Sequence, residues 1–152
     1  MSSDLSSTQA VRPAPAGIDP RGPRTNQAVL AVGLALGFVL GWWPVAPLFA
    51  VVLGLGVVLG PKWGPVLVAY RHLLAPRLGP PTELEDPRPP RFAAAIGLAF
   101  LAAATVAFIL GASVVGWVLA LIVAALAALA AVTGLCVGCE MYLLLNRLRP
   151  VR

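Results

Sequence analysis

The only two cysteines of the chain stand three positions apart, in Cys136-Val137-Gly138-Cys139-Glu140. That spacing suits reversible dithiol chemistry, carriage of a persulfide, or half of a metal site. A redox pair needs no further ligand. A closed zinc site needs four, and Glu140 with the single histidine, His72, would complete one only if a distant segment folded over the pair or two chains combined. No metal and no cofactor are therefore expected. Glu140 could act as proton acceptor for a thiol, or sit at headgroup level paired with Arg147 or another arginine. The bland reading is that both cysteines are small residues packed at the end of a helix bundle.

Reactivity depends on the helix that carries the thiols, and two arrangements are open. If a helix runs unbroken through Cys139, the thiols lie at its carboxyl end beside Glu140, where dipole and carboxylate both disfavour thiolate. If Thr133-Gly134 ends one helix and another begins near Cys136, the thiols lie at a helix start, which favours thiolate.

A second set of chemical groups is duplicated. The box Asp-Pro-Arg-x-Pro-Arg occurs as Asp19 to Arg24 and as Asp86 to Arg91, each time just before a long apolar run. Proline there starts a helix without losing a needed donor, and arginine can bind lipid phosphate, so the boxes read first as anchors. Two hairpins of parallel orientation would bring them together. Arg21, Arg24, Arg88 and Arg91 are then candidates to hold an anion such as sulfate, thiosulfate or a lipid headgroup.

These groups must be positioned by apolar elements. The 152 residues are 59% hydrophobic and 11% charged, far from the usual soluble balance of about 45–50% apolar and about 25% charged. The composition indicates an integral membrane protein. No charged residue occurs from Ala28 to Gly60 or from Phe92 to Cys139, and either stretch as one helix would be roughly 50–70 Å long against a core of about 30 Å. Each must fold back. The first turn is read at Trp42-Trp43-Pro44-Val45-Ala46-Pro47, where prolines remove helix donors and tryptophans favour the interface. The second is read at Gly111 to Trp117. The expected arms are Thr25 to Gly41, Val45 to Gly60, Phe92 to Leu110 and Trp117 to Leu135.

The expected fold is all-α: a membrane four-helix bundle of two tandem parallel hairpins with an interfacial amphipathic helix between them. Its parts are a disordered tail (1–17), a first transmembrane hairpin (18–62), an interfacial helix and linker (63–85), a second hairpin ending in the thiols (86–140) and a basic interfacial segment (141–152). Apolar Val66, Leu67, Tyr70, Leu73 and Leu74 recur at helical spacing in the central segment. Gly33, Gly37 and Gly41, with Gly54 and Gly60, read as close-packing positions.

All eleven Lys and Arg residues lie outside the two turns. The positive-inside rule then makes the charged side cytoplasmic, with both termini there, in a multi-pass protein of the cell membrane. The net charge of +5 follows from this rule and from attraction to anionic lipid; no stacking aromatics accompany it, so nucleic acid is not expected as a partner. The spans carry no charge, which disfavours an ion-coupled transporter.

The repeated box, the phrase Leu78-Gly79-Pro80-Pro81-Thr82-Glu83-Leu84-Glu85-Asp86-Pro87 and the ending Thr133-Gly134-Leu135-Cys136-Val137-Gly138-Cys139-Glu140-Met141-Tyr142 resemble the bacterial membrane family known as domain of unknown function 4395. The resemblance covers about Ile18 to Leu145. Members of that family are typical of actinobacteria, and their genes often lie near those of thioredoxin-like proteins and sulfurtransferases. The resemblance thus implies thiol or sulfur handling.

Three functions are weighed. The first is a thiol-redox or sulfur-relay protein acting through Cys136, Cys139 and Glu140 with a soluble thioredoxin-like protein or sulfurtransferase. The second is a non-enzymatic scaffold or accessory subunit, with homo-oligomers among its forms. The third is a sulfur-oxyanion channel.

Overall fold

The computed structural model of the chain describes residues 17–60, 63–81 and 83–148. The tail read at 1–17 falls almost wholly outside them, as do Lys62 and the last four residues of the basic C-terminal segment. The fold is all-α, with α1 (Arg21–Val39), α2 (Val45–Leu59), α3 (Pro65–Leu73), α4 (Ala75–Leu78), α5 (Arg88–Ile109), α6 (Ser113–Thr133) and α7 (Val137–Leu148). Among the described residues two helices, α5 and α6, are long and apolar enough to cross a membrane; α2 is apolar but has 15 residues.

The boxes start α1 and α5 by the same local geometry. In each, the aspartate Oδ1 accepts the backbone N–H of the arginine two residues on, Arg21 to Asp19 and Arg88 to Asp86, both at 2.9 Å. This satisfies one of the orphan donors of a helix start. The helices begin a full turn before the expected arms because proline is suited to the first helical turn.

The far ends also match. Gly41 N–H donates to Phe38 and Trp42 N–H to Gly37 in one turn, and Gly111 N–H donates to Phe108 and Ala112 N–H to Ala107 in the other. Both are glycine-capped helix ends, with Gly41 at φ +64° and Gly111 at φ +79°. The second turn is shorter than expected. It closes over Leu110 to Ala112, and Gly116 and Trp117 lie inside α6. The reason is packing: Gly116 is buried against the Phe108 ring, and Trp117 meets Phe38 and Phe108 edge-on at 5.3 and 5.1 Å. What reads as turn chemistry is a close approach of α5 and α6.

The two repeats interlock. Each repeat's first long helix packs on the other's second, α1 on α6 and α5 on α2, and α5 also packs on α6. Leu30, Leu34, Leu53, Leu101, Ala120, Val123 and Ala127 form the core between them. Small residues allow the helices to approach: Gly33 lies against the Phe49 ring and Gly37 against Val45. Ile18 and Glu85, the residues immediately before the two boxes, exchange backbone hydrogen bonds at 2.9 and 3.0 Å. Equivalent positions of the repeats thus bond to one another, as residues on a twofold axis do.

The central amphipathic helix is α3, continued by the short α4. Its Tyr70 is 3% exposed and donates its hydroxyl to Asp19 Oδ2 at 2.8 Å, so Asp19 binds α1 and α3 at once. The last helix, α7, packs along the start of α5, with Phe92 and Tyr142 rings 5.5 Å apart.

Candidate thiol site and the helix ends around it

The chain breaks between α6 and α7, which settles the local geometry of the cysteines. Gly134 takes φ +76°, a conformation that costs other residues strain, and its N–H donates to Ala130. Thr133 Oγ1 then accepts the N–H of Leu135 at 3.1 Å. Cys136 comes next, with its carbonyl accepting the N–H of Glu140 at 3.0 Å. Cys136 is therefore the N-cap of α7 and Cys139 sits in its first turn. Of the two open arrangements, the helix start is the one adopted.

The pair is electrostatically unequal. The Cys136 thiol is pulled down to about 6, foremost because Cys139 donates its S–H to the Cys136 sulfur, with burial opposing and the backbone N–H groups of Cys139 and Gly138 assisting. Cys139 is pushed up, by the bond it donates, by burial and by the charges of Cys136, Glu85 and Glu140. The two sulfurs are shifted in opposite directions. Both cysteines are free and half-buried.

Gly138 explains the residue between them. A Cβ there would lie 2.7 Å from Ala93 Cβ and 2.9 Å from its Cα. Only glycine lets the first turn of α7 press on the start of α5. Glu140 is exposed, and through its charge it opposes ionisation of both sulfurs. His72 is exposed at the end of α3.

Three of the four box arginines lie at helix carboxyl ends. Arg91 Nε donates to Val57 O at 2.9 Å, in the last turn of α2, and the Arg24 guanidinium lies over Gly134, where α6 ends. Each second box arginine thus reaches the end of the other repeat's second helix, where a cation complements the dipole. Arg21 Nη1 donates to Leu78 O at 3.2 Å, at the end of α4. Arg88 is exposed. The other three are distributed over separate helix ends.

Sequence reasoning did not single out Asn26 and Gln27. They line a cavity of about 140 Å³ between the four long helices, whose wall also includes Arg91, Cys136 and Gly138. Two amides at the point where the polar start of α1 gives way to its apolar run were the available signal.

These features define a class: an all-α protein with two apolar helices of membrane-crossing length, the second followed at once by a helix-start thiol pair. The chain belongs to the family described as Domain of unknown function (DUF4395), whose model matches residues 18–147. No curated protein and no solved structure matches it.

Proposed function

We propose that the protein is a multi-pass membrane thiol-redox protein that exchanges electrons with a soluble thioredoxin-like partner through Cys136 and Cys139. The observation that supports this reading is the inequality of the pair: Cys136 stands at a helix start with its thiol pulled down to about 6, and the Cys139 thiol beside it is pushed up. Disulfide exchange through such a pair runs in either direction: the thiolate attacks a partner disulfide and the neighbouring thiol releases the mixed disulfide, or a partner dithiol reduces the pair's own disulfide by the reverse steps. The same thiolate could carry a persulfide delivered by a sulfurtransferase, but a resolving thiol within hydrogen-bond reach favours disulfide exchange.

Four spans fit this function. α5 and α6 supply two, and α1 and α2 pack alongside them as partners of the same bundle. At 1.5 Å per residue α2 is about 22 Å long, so it would reach across with local thinning of the bilayer. The arginines and the thiols share the end opposite the two uncharged turns, which supports a cytoplasmic site with both termini on that side.

The test is a Cys139→Ser variant, which should trap a mixed disulfide between Cys136 and its partner, reversed by reductant and absent from a Cys136→Ser, Cys139→Ser variant. Maleimide labelling of Cys136 in permeabilised but not intact cells should accompany it. A Cys136 that neither labels when reduced nor traps a partner refutes the reading.

A further inference from the structure

Cys136 of the thiol pair forms part of the wall of a cavity, and that juxtaposition carries more than the pair alone. Leu30 and Leu53, both buried, with Val123 and Phe100 make its inner surface, and Cys136 closes the end at which Asn26, Gln27 and Arg91 gather. Its volume of about 140 Å³ is comparable to apolar cavities of roughly 150 Å³ that accept a benzene-sized ring. Ile122 and Leu126 line it while remaining 40% and 43% exposed, so a chain attached to a bound ring has a way out between the helices.

A ring in this space meets polar groups at one end only. The Asn26 and Gln27 amides make no side-chain hydrogen bond among the described residues, and Arg91 uses its Nε on Val57, leaving its terminal nitrogens. These are donors, suited to carbonyl oxygens and to the negative charge such oxygens acquire on reduction. A sulfur oxyanion would gain little from walls that are mostly hydrocarbon.

We infer that the cavity binds a lipid-soluble quinone, whose ring is reduced by Cys136 and Cys139 and whose tail leaves past Ile122 and Leu126. The inference rests on the redox reading above and names the second substrate. The Cys136 thiolate adds to a ring carbon, forming an S–C bond. Cys139 then gives up its proton and attacks the Cys136 sulfur. The S–S bond forms as the S–C bond breaks, and its electron pair returns to the ring. The dithiol loses two electrons and two protons, and the quinone oxygens take up both protons to give the quinol. The soluble partner, a dithiol, then reduces the new disulfide by thiol exchange.

The full chain, reduced and placed in phosphatidylcholine–phosphatidylglycerol nanodiscs without oxygen, would be mixed with decylubiquinone. One quinol should form for each pair of thiols lost, saturating with quinone. Ala127→Phe, which fills the cavity, should slow quinol formation at least tenfold while Cys136 alkylates at the rate of the unmodified protein. Gln27→Ala, a milder change, should raise the half-saturating quinone several-fold with kcat little altered. Rates that rise without saturation and are equal in all three proteins would overturn the assignment, as would phospholipid in the cavity with quinone bound but not reduced. No quinol from protein that still traps the mixed disulfide overturns the quinone alone; loss of both overturns the redox reading with it.

Discussion

The inequality of the two sulfurs can be measured as a pH profile. A Cys136 thiol pulled down from 9.0 to about 6 is about nine-tenths thiolate at pH 7, roughly 90 times the fraction of an ordinary thiol. A more acidic thiolate is also a weaker nucleophile. With a Brønsted slope of about 0.4–0.5, three units cost about 15- to 30-fold per thiolate, leaving a net advantage of about 3- to 6-fold at pH 7. Near pH 5 the thiolate ratio is roughly 900, and the advantage grows to about 30- to 60-fold; near pH 9 it reverses. Iodoacetamide alkylation followed by mass spectrometry, from about pH 5 to about pH 9, should show Cys136 rising through about 6 to a plateau. Cys139→Ala removes the largest cause, the bond donated by the neighbouring thiol, and should move the inflection upward. Two cysteines that both titrate near the ordinary value would refute the geometry. The sign for stability follows too: a depressed thiol stabilises the fold fully above its unfolded value of 9.0, and that contribution is lost as pH falls through about 6.

Other substitutions test the scaffold. Gly138→Ala should push α7 from α5 and cost about 1–3 kcal/mol, read as a lower melting temperature and a Cys136 inflection moved towards the ordinary thiol value. Gly134→Ala combines a positive φ with the overlying Arg24 and should cost about 1–3 kcal/mol, with more Cys136 exposure by alkylation. Tyr70→Phe removes the hydroxyl bonded to Asp19 and should lower stability by about 1 kcal/mol without altering the alkylation profile. Arg91→Ala should loosen the end of α2, seen as faster amide exchange there, at a cost of about 1.5–3 kcal/mol.

Much of the fold is written in local patterns. Tandem boxes, glycines at turns and the Thr133-Gly134 break act within a few residues, so they are readable before any packing is known. The turn at Gly111 is shorter than its sequence suggests because glycine serves both chain reversal and helix contact, and only the position of Phe108 tells which role Gly116 has. The arginines posed a different difficulty: that Arg24 covers the end of α6 and Arg91 the end of α2 depends on which helices pair across repeats. For the cysteines, both helix start and helix end were compatible with the spacing, and the αL glycine decides. Asn26 and Gln27 carry no motif, and their facing a cavity is a property of four helices together.

The bridge between Ile18 and Glu85 has a further consequence. A residue that bonds to its own counterpart makes the contact a homodimer of half-length chains would make at its axis. In such a dimer every substitution is made twice, and a reactive thiol pair on one half would face a copy of itself across the bundle. Joining both halves in one chain lifts that constraint. The end of α2 can remain a bare glycine, Gly60, while the matching end of α6 is followed by sulfur, so a symmetric frame carries its two thiols on one repeat alone.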